Sequence, residues 1–174
     1  WMSWNVPYTL RMAELLVEID PRWIEEPVLP DMIPQYAEIR SRSPLPIAGG
    51  EHEYTRWGMA ALLNAEGVDV LQPDTYWAGG ITELQKIYAV ASIHDIPVIP
   101  HGHSVPANVH LMASQPALMA PILEYLVKWN QIHQFFFADP IVPRNGTVTV
   151  PNRPGIGMEL DPAKIEQERY LTFE

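Results

Sequence analysis

The 174-residue sequence predicts an α/β protein whose parallel strands alternate with helices to build part of a barrel. Three observations carry that expectation. Short apolar runs end on polar residues at Glu25, Glu51, Asp74, His101 and Glu124, at intervals of 26, 23, 27 and 23 residues. Each interval accommodates one strand, one helix and two loops. Between the runs, apolar residues recur at helical spacing.

Taken in order, Trp1 to Asn5 is polar and aromatic, and from Pro7 onward Tyr8, Leu10, Met12, Leu15, Leu16 and Ile19 predict a helix. Running the period back from Glu25 puts an earlier strand end at or just before Trp1. Trp23 to Pro27 predicts a short strand with Glu25 towards the barrel mouth and Glu26 on the other face as an ion-pair partner. Met32 to Arg42 supplies a helix, and Leu45 to Glu51 a strand whose Gly49-Gly50 lets backbone crowd whatever Glu51 holds. Thr55 is the expected N-cap of a helix through Trp57, Met59, Ala60, Leu62 and Leu63, with Gly67 expected to stop it. Val68 to Gln72 reads as a strand buried on both faces. Leu84, Ile87, Tyr88 and Ala91 mark the next helix, Ile96 to Ile99 a strand, Val105 to Ala113 a helix and Ile122 to Leu126 a last strand.

The repeat stops there, so residues 1–127 form one unit and residues 128–174 a tail. The tail holds the apolar Phe135-Phe136-Phe137, an Asn145-Gly146 hairpin turn between Ile141 and Val150, and a Pro154-Gly155-Ile156-Gly157 turn. It reads as a crossing segment that packs on something outside the barrel.

Hydrophobic residues make up 47% of the chain, enough for a substantial core. A net charge of −10 with only 11 Lys and Arg offers no basic stripe for nucleic acid. No apolar run is long enough to span a bilayer, no basic-then-apolar leader opens the chain, and there is no cysteine, so a cytoplasmic protein is expected. The 18 prolines, among them Pro46, Pro73, Pro97, Pro100 and Pro106, sit at element boundaries.

The strand ends carry the chemistry. Glu25 and Glu51 project into one axial space, where two carboxylates repel unless a hard cation such as Mg²⁺ lies between them. Two ligands do not complete such a site, and the period puts a third carboxylate just upstream of Trp1. Asp74 and His101 end adjacent strands, so the carboxylate can fix the imidazole tautomer and raise its pKa, suiting His101 to general acid/base work. His101 and His103 in His-x-His spacing could instead hold zinc for hydrolysis, though the neighbouring strand ends offer carboxylates. Glu124 faces His101 across the mouth, either as an oxyanion donor or as a loop cap. His94 and His133 read as surface residues.

Trp-Ile-Glu-Glu-Pro, Gly-Gly-Glu-His-Glu, Gln-Pro-Asp-Thr-Tyr-Trp-Ala-Gly-Gly-Ile-Thr, Ile-Pro-His-Gly-His-Ser-Val and Pro-Gly-Ile-Gly-Met-Glu-Leu together resemble the enolase superfamily. Within its mandelate racemase/muconate lactonizing enzyme family, they are most similar to acid-sugar dehydratases of the rhamnonate type. The resemblance implies the C-terminal part of a (β/α)7β barrel, with a tail that returns to an N-terminal capping domain absent from this sequence. It implies Mg²⁺ at Glu25 and Glu51, His101 and Asp74 as the catalytic dyad, and Glu124 against a substrate carboxylate oxygen. It also implies a substrate pocket that includes His52, His103 and Trp1. The implied reaction removes the α-proton of a sugar acid, passes through a metal-stabilised ene-diolate and expels the β-hydroxyl to give a 2-keto-3-deoxy acid. A racemase or epimerase of the same superfamily and an inactive half-barrel remain alternatives. Homo-oligomers are common in the resembling family.

Overall fold

The computed structural model describes residues 1–169. Its centre is a three-stranded parallel sheet in the order β1 (Ile24–Glu25), β2 (Ile47–Gly49), β3 (Val70–Leu71), with Ile24 opposite Ile47, Ala48 opposite Val70 and Gly49 opposite Leu71. Helices α1 (Val6–Leu16), α2 (Ile33–Arg42), α3 (Thr55–Asn64), α4 (Ile81–Ile93) and α5 (Val105–Ala113) alternate with these strands, and a short α6 (Asn130–His133) follows in the tail. Residues 1–4 run alongside the segment that follows β1, where Met2 N donates to Glu26 O at 2.7 Å and Trp4 N to Pro27 O at 2.9 Å.

The period-2 geometry of the strands separates two layers. Ile24, Ile47, Leu71 and Val98 face the helices and pack with Tyr36, Ile39, Met59, Leu62, Leu84, Ile87 and Tyr88 in the main core. Each of these aliphatic side chains contributes roughly 1.5–3 kcal/mol by leaving water. Ala48, Val70 and Ile99 form a smaller inner cluster with Trp23 and Ile122. The polar residues of interest continue that inner layer.

Several boundaries differ from the sequence expectation. The first helix ends at Leu16 and tightens to a 3-10 turn at Val17–Ile19. The segment expected as a strand at Ile96–Ile99 is reduced to a parallel bridge between Val98 and Leu71. Pro97 and Pro100 remove two ladder donors, which is why pairing breaks up there. Alignment survives through Leu71 N to Pro97 O, Ile99 N to Leu71 O and His101 N to Pro73 O, at 2.9–3.0 Å. Ile122–Leu126 is not a strand: among the described residues no ladder bond joins it to Val98–His101, and Ile122 packs against the cluster of Ala48, Val70 and Ile99.

The ends of α3 also need correction. Tyr54, not Thr55, is the N-cap; Thr55 is the first helical residue and has φ +58°, a left-handed conformation unusual for a β-branched side chain. It is tethered by Thr55 N to Ala78 O at 3.1 Å, and the next amide, Arg56 N, donates to Glu83 Oε1 at 2.9 Å. At the other end Glu66, with φ +55°, makes the left-handed turn, while Gly67 N closes the helix by donating to Leu62 O. Gly67 is glycine for space: a Cβ there would lie 2.7 Å from Leu62 Cδ1 and 3.2 Å from Leu62 O.

In the tail, Asn145 and Gly146 take φ +52° and +75°, forming the expected tight turn with Arg144 and Thr147 bridged across it. Ile141, Val148 and Met158 pack on Val105 and Val109 of α5, so part of the tail's apolar surface is covered within the chain. Residues 170–174 of the expected tail lie outside the described residues.

Gly67→Ala is expected to destabilise the fold by about 1–3 kcal/mol, because the contact with Leu62 O is to backbone and does not yield easily. Urea unfolding monitored by circular dichroism would measure it, and an unchanged midpoint would contradict the crowding.

Candidate active site

The site assembles at the C-terminal ends of the parallel segments. Asp74 stands three residues after the end of β3 and has no solvent exposure. Its Oδ1 accepts from Tyr76 N at 2.8 Å, Trp77 N at 3.0 Å and Ser104 Oγ at 3.2 Å. Its Oδ2 accepts from His101 Nδ1 at 3.0 Å and His103 Nδ1 at 3.1 Å. Burial opposes the charge on Asp74, but the bonds from His101 and the Trp77 amide and the fields of both imidazoles outweigh it and hold the carboxyl below its usual range. An ionised carboxylate only accepts. Both histidines therefore carry a proton on Nδ1 towards Asp74.

His101 Nε2 lies 3.3 Å from Glu51 Oε2. Burial disfavours the imidazolium, but the bond to Asp74 and the charges of Glu51 and Glu124 prevail and raise the His101 pKa. Glu51 is itself raised, chiefly by burial, against the lowering effect of His101. The His101–Glu51 pair is thus suited to share a proton. Glu124 is pushed up to about 7 by burial first and then by Glu25, while a bond from the Gly102 amide partly offsets this. It is a carboxyl that can remain protonated near neutrality and act as a donor.

Glu25 Oε2 accepts from Gln72 Nε2 at 2.8 Å and Trp23 Nε1 at 3.3 Å. Gln72 Nε2 also reaches Glu124 Oε2 at 3.4 Å, while its buried Oε1 has no hydrogen-bond partner among the described residues. Two groups of side chains have ligand atoms within 4.8 Å of one another: Glu26, Glu51 and His52, and Asp74, His101 and His103. Glu25 stands outside both groups, but its charge acts on Glu51 and Glu124. Oxygen donors dominate the region around Glu25 and Glu51, as a hard divalent cation requires. Mutual repulsion among these acids supplies the electrostatic need for one. In the histidine group, by contrast, both Nδ1 protons are already engaged by Asp74.

Glu26 does not face away from the site. Its φ of +40° breaks the strand alternation and brings the buried carboxylate to His52 Nδ1, at 3.0 and 3.2 Å. His52 lies between Trp1 and Trp77, with ring centroids 5.3 and 5.8 Å away. Trp1 itself is largely exposed. His103 is edge-on to Tyr76 and Trp77, at 5.7 and 6.1 Å. Exposed His133 of α6 comes within 4.1 Å of the His103 ring, so this surface histidine belongs to the mouth. The structure thus gathers Glu25, Glu51, Asp74, His101 and Glu124, with His52, His103 and Trp1 at the rim.

Glu26, Gln72, Ser104 and His133 were not singled out for the site by sequence reasoning. For Gln72 a signal existed, since it stands two positions after Val70 in the run expected as a strand and so shares the inner face.

A parallel α/β layer with buried acids and a His–Asp pair at its strand ends defines a class of acid/base site. The chain belongs to the enolase C-terminal domain-like family, whose model matches residues 1–164. It is 38% identical to an L-rhamnonate dehydratase of Saccharopolyspora erythraea over 97% of this chain and 44% of that protein. It is 37% identical to a D-galactarolactone cycloisomerase of Agrobacterium fabrum over 80% of this chain and 39% of that protein. The crystal structure of an L-talarate dehydratase from Polaromonas sp. JS666 complexed with Mg and L-glucarate superposes with a TM-score of 0.83 at 29% identity, covering 93% of this chain and 42% of that one. The chain therefore spans under half the length of the curated relatives it matches. Among the described residues, no helix is long and apolar enough to cross a membrane.

The pKa directions fix the sign of the pH dependence. His101, raised from its ordinary 6.5, stabilises the fold fully below that value and loses the contribution as pH climbs through the raised pKa. Asp74, lowered from 3.8, contributes above that value and loses it as pH falls through the lowered pKa. Asp74→Asn is expected to bring the His101 pKa down. Imidazole NMR titration in a chelator-treated sample checks this, and an unmoved titration would separate His101 from Asp74.

Proposed function

We propose that this chain is the C-terminal part of the barrel of a Mg²⁺-dependent dehydratase acting on a sugar acid, an aldonate such as L-rhamnonate. The observation that carries the proposal is His101, anchored through Nδ1 on buried Asp74 and directing Nε2 into an acid-lined space bordered by Glu51 and Glu124. Kinship with sugar-acid dehydratases and a cycloisomerase supports a reaction that begins by removing a proton next to a carboxylate.

In this reading Glu25 and Glu51 hold the cation, with a third carboxylate ahead of Trp1. When bound, Mg²⁺ supplies the positive charge that attracts the substrate carboxylate and acidifies its α-C–H bond. His101 Nε2 takes the α-proton, and Asp74 stabilises the imidazolium through the Nδ1 bond. Protonated Glu124 donates to the substrate oxygen that gains charge. The β C–O bond then breaks, the hydroxyl leaves as water with the proton from His101, and the resulting enol tautomerises to the 2-keto-3-deoxy acid. His52, His103 and Trp1 contact the rest of the sugar. The tail of residues 128–174 returns towards a capping domain that completes the pocket.

A zinc hydrolase built on His101 and His103 has less support, because His101 Nε2, the nitrogen left for a metal, lies against Glu51 and the solved talarate dehydratase carries Mg. A racemase or epimerase of the family would exchange the α-proton without losing water.

His101→Asn in the full-length protein is expected to abolish dehydration, by about 10³-fold or more, while leaving Mg²⁺ affinity within twofold. Product analysis in D₂O and calorimetric Mg²⁺ titration measure both; unchanged turnover would remove His101 from the mechanism, and exchange without dehydration would favour the racemase. Glu124→Gln keeps a donor that does not titrate, so the alkaline decline of kcat attributable to a group near pH 7 should flatten. Persistence of that limb in the variant would assign it elsewhere.

A further inference from the structure

Behind the catalytic loop lie two asparagines that the mechanism above does not use. Asn108 of α5 has no solvent exposure and Asn130 of α6 almost none. Asn108 Nδ2 donates to His101 O at 2.9 Å, and its Oδ1 accepts from Thr75 Oγ1 at 2.6 Å. Asn130 Nδ2 donates to Gly102 O at 2.8 Å. Its Oδ1 accepts from Gln134 Nε2 at 3.1 Å, and Gln134 in turn holds the Ile141 backbone through Ile141 N to Oε1 at 2.7 Å and Nε2 to Ile141 O at 3.1 Å.

These bonds fix the two peptide planes on either side of Gly102. The His101–Gly102 plane has its carbonyl on Asn108. The Gly102–His103 plane has its carbonyl on Asn130. No side chain fits between: a Cβ on Gly102 would lie 3.0 Å from both Glu124 O and Leu126 N. Because peptide units are rigid, fixing the carbonyl of the first plane also fixes Gly102 where it passes close against the Glu124 and Leu126 backbone. Thr75, adjacent to Asp74, ties the same asparagine to the acid side of the dyad.

We infer that Asn108 and Asn130 are positioning residues for the proposed reaction, clamping the Gly102 backbone so that His101 and Glu124 keep their relative placement. Asn108 couples the segment after Asp74 to the His101 carbonyl through one buried amide, the close approach of Gly102 to the Glu124 backbone carries that order to Glu124, and Asn130 transmits the tail's anchorage at Ile141 to the same loop. The inference rests on the proposed role of His101, because misplacement by about 1 Å can cost on the order of 100-fold in rate without touching substrate.

The test uses Asn108→Asp and Asn130→Asp in the full-length, Mg²⁺-loaded protein; each keeps its shape and replaces the donor with an acceptor. Expected are a fall in kcat of about tenfold or more, KM and the Mg²⁺ Kd within about twofold, and displacement or broadening of the His101 Nδ1–H resonance. Thr75→Val, which leaves the asparagine in place but frees its carbonyl, should give a smaller fall in kcat and the same spectral change, and serves if an Asp variant does not fold. Wild-type kcat with an unmoved Nδ1–H signal would overturn the inference, as would a loss confined to KM. The resonance needs no substrate, so its displacement in a protein without dehydratase activity would uphold the clamp while rejecting the proposed reaction.

Discussion

The site depends on a charge enclosed by protein. Asp74 has no exposed surface, and burying an unpaired carboxylate costs several kcal/mol. Five donors offset that cost: two backbone amides, one hydroxyl and two imidazoles. Satisfying the acid fixes the tautomer of both histidines, the path of the Tyr76–Trp77 turn and the approach of Ser104. The orientation of His101 is therefore a consequence of electrostatic necessity at its neighbour.

A second constraint works in the opposite sense. Glu51 and Glu124 are held in a poorly solvated space with Glu25, and their raised pKa values express burial first and then repulsion from neighbouring acids, both of which the protein alone leaves in place. A fold optimised only for stability would replace such acids with apolar residues. Their retention at the ends of parallel strands, beside a histidine anchored on the far side, divides the mouth into a region suited to positive charge and a region able to move a proton.

The main architecture was legible because burial leaves a periodic trace: strand runs, helical faces and their intervals led to β1 through β3 and α1 through α5. Asp74 beside His101 could be reasoned from position alone. The broken pairing at Pro97 and Pro100 could also have been read from the missing donors, but the apolar Val98-Ile99 outweighed it. Other features leave no such trace. Glu26 reaches His52 only through a left-handed backbone, and Asn108 and Asn130 act on carbonyls brought near by tertiary packing. A buried amide bonded to a loop looks, in sequence, like any polar residue on a helix. Gly67 illustrates the reverse error: its identity was legible, but its reason is proximity to Leu62 rather than a left-handed turn.

The aromatic rim has a further consequence. Trp77 stands edge-on to both His52 and His103, one imidazole paired with Glu26 and the other with Asp74. Its indole therefore touches the two sides of the mouth at once, so that a shift of either imidazole is felt by the same side chain.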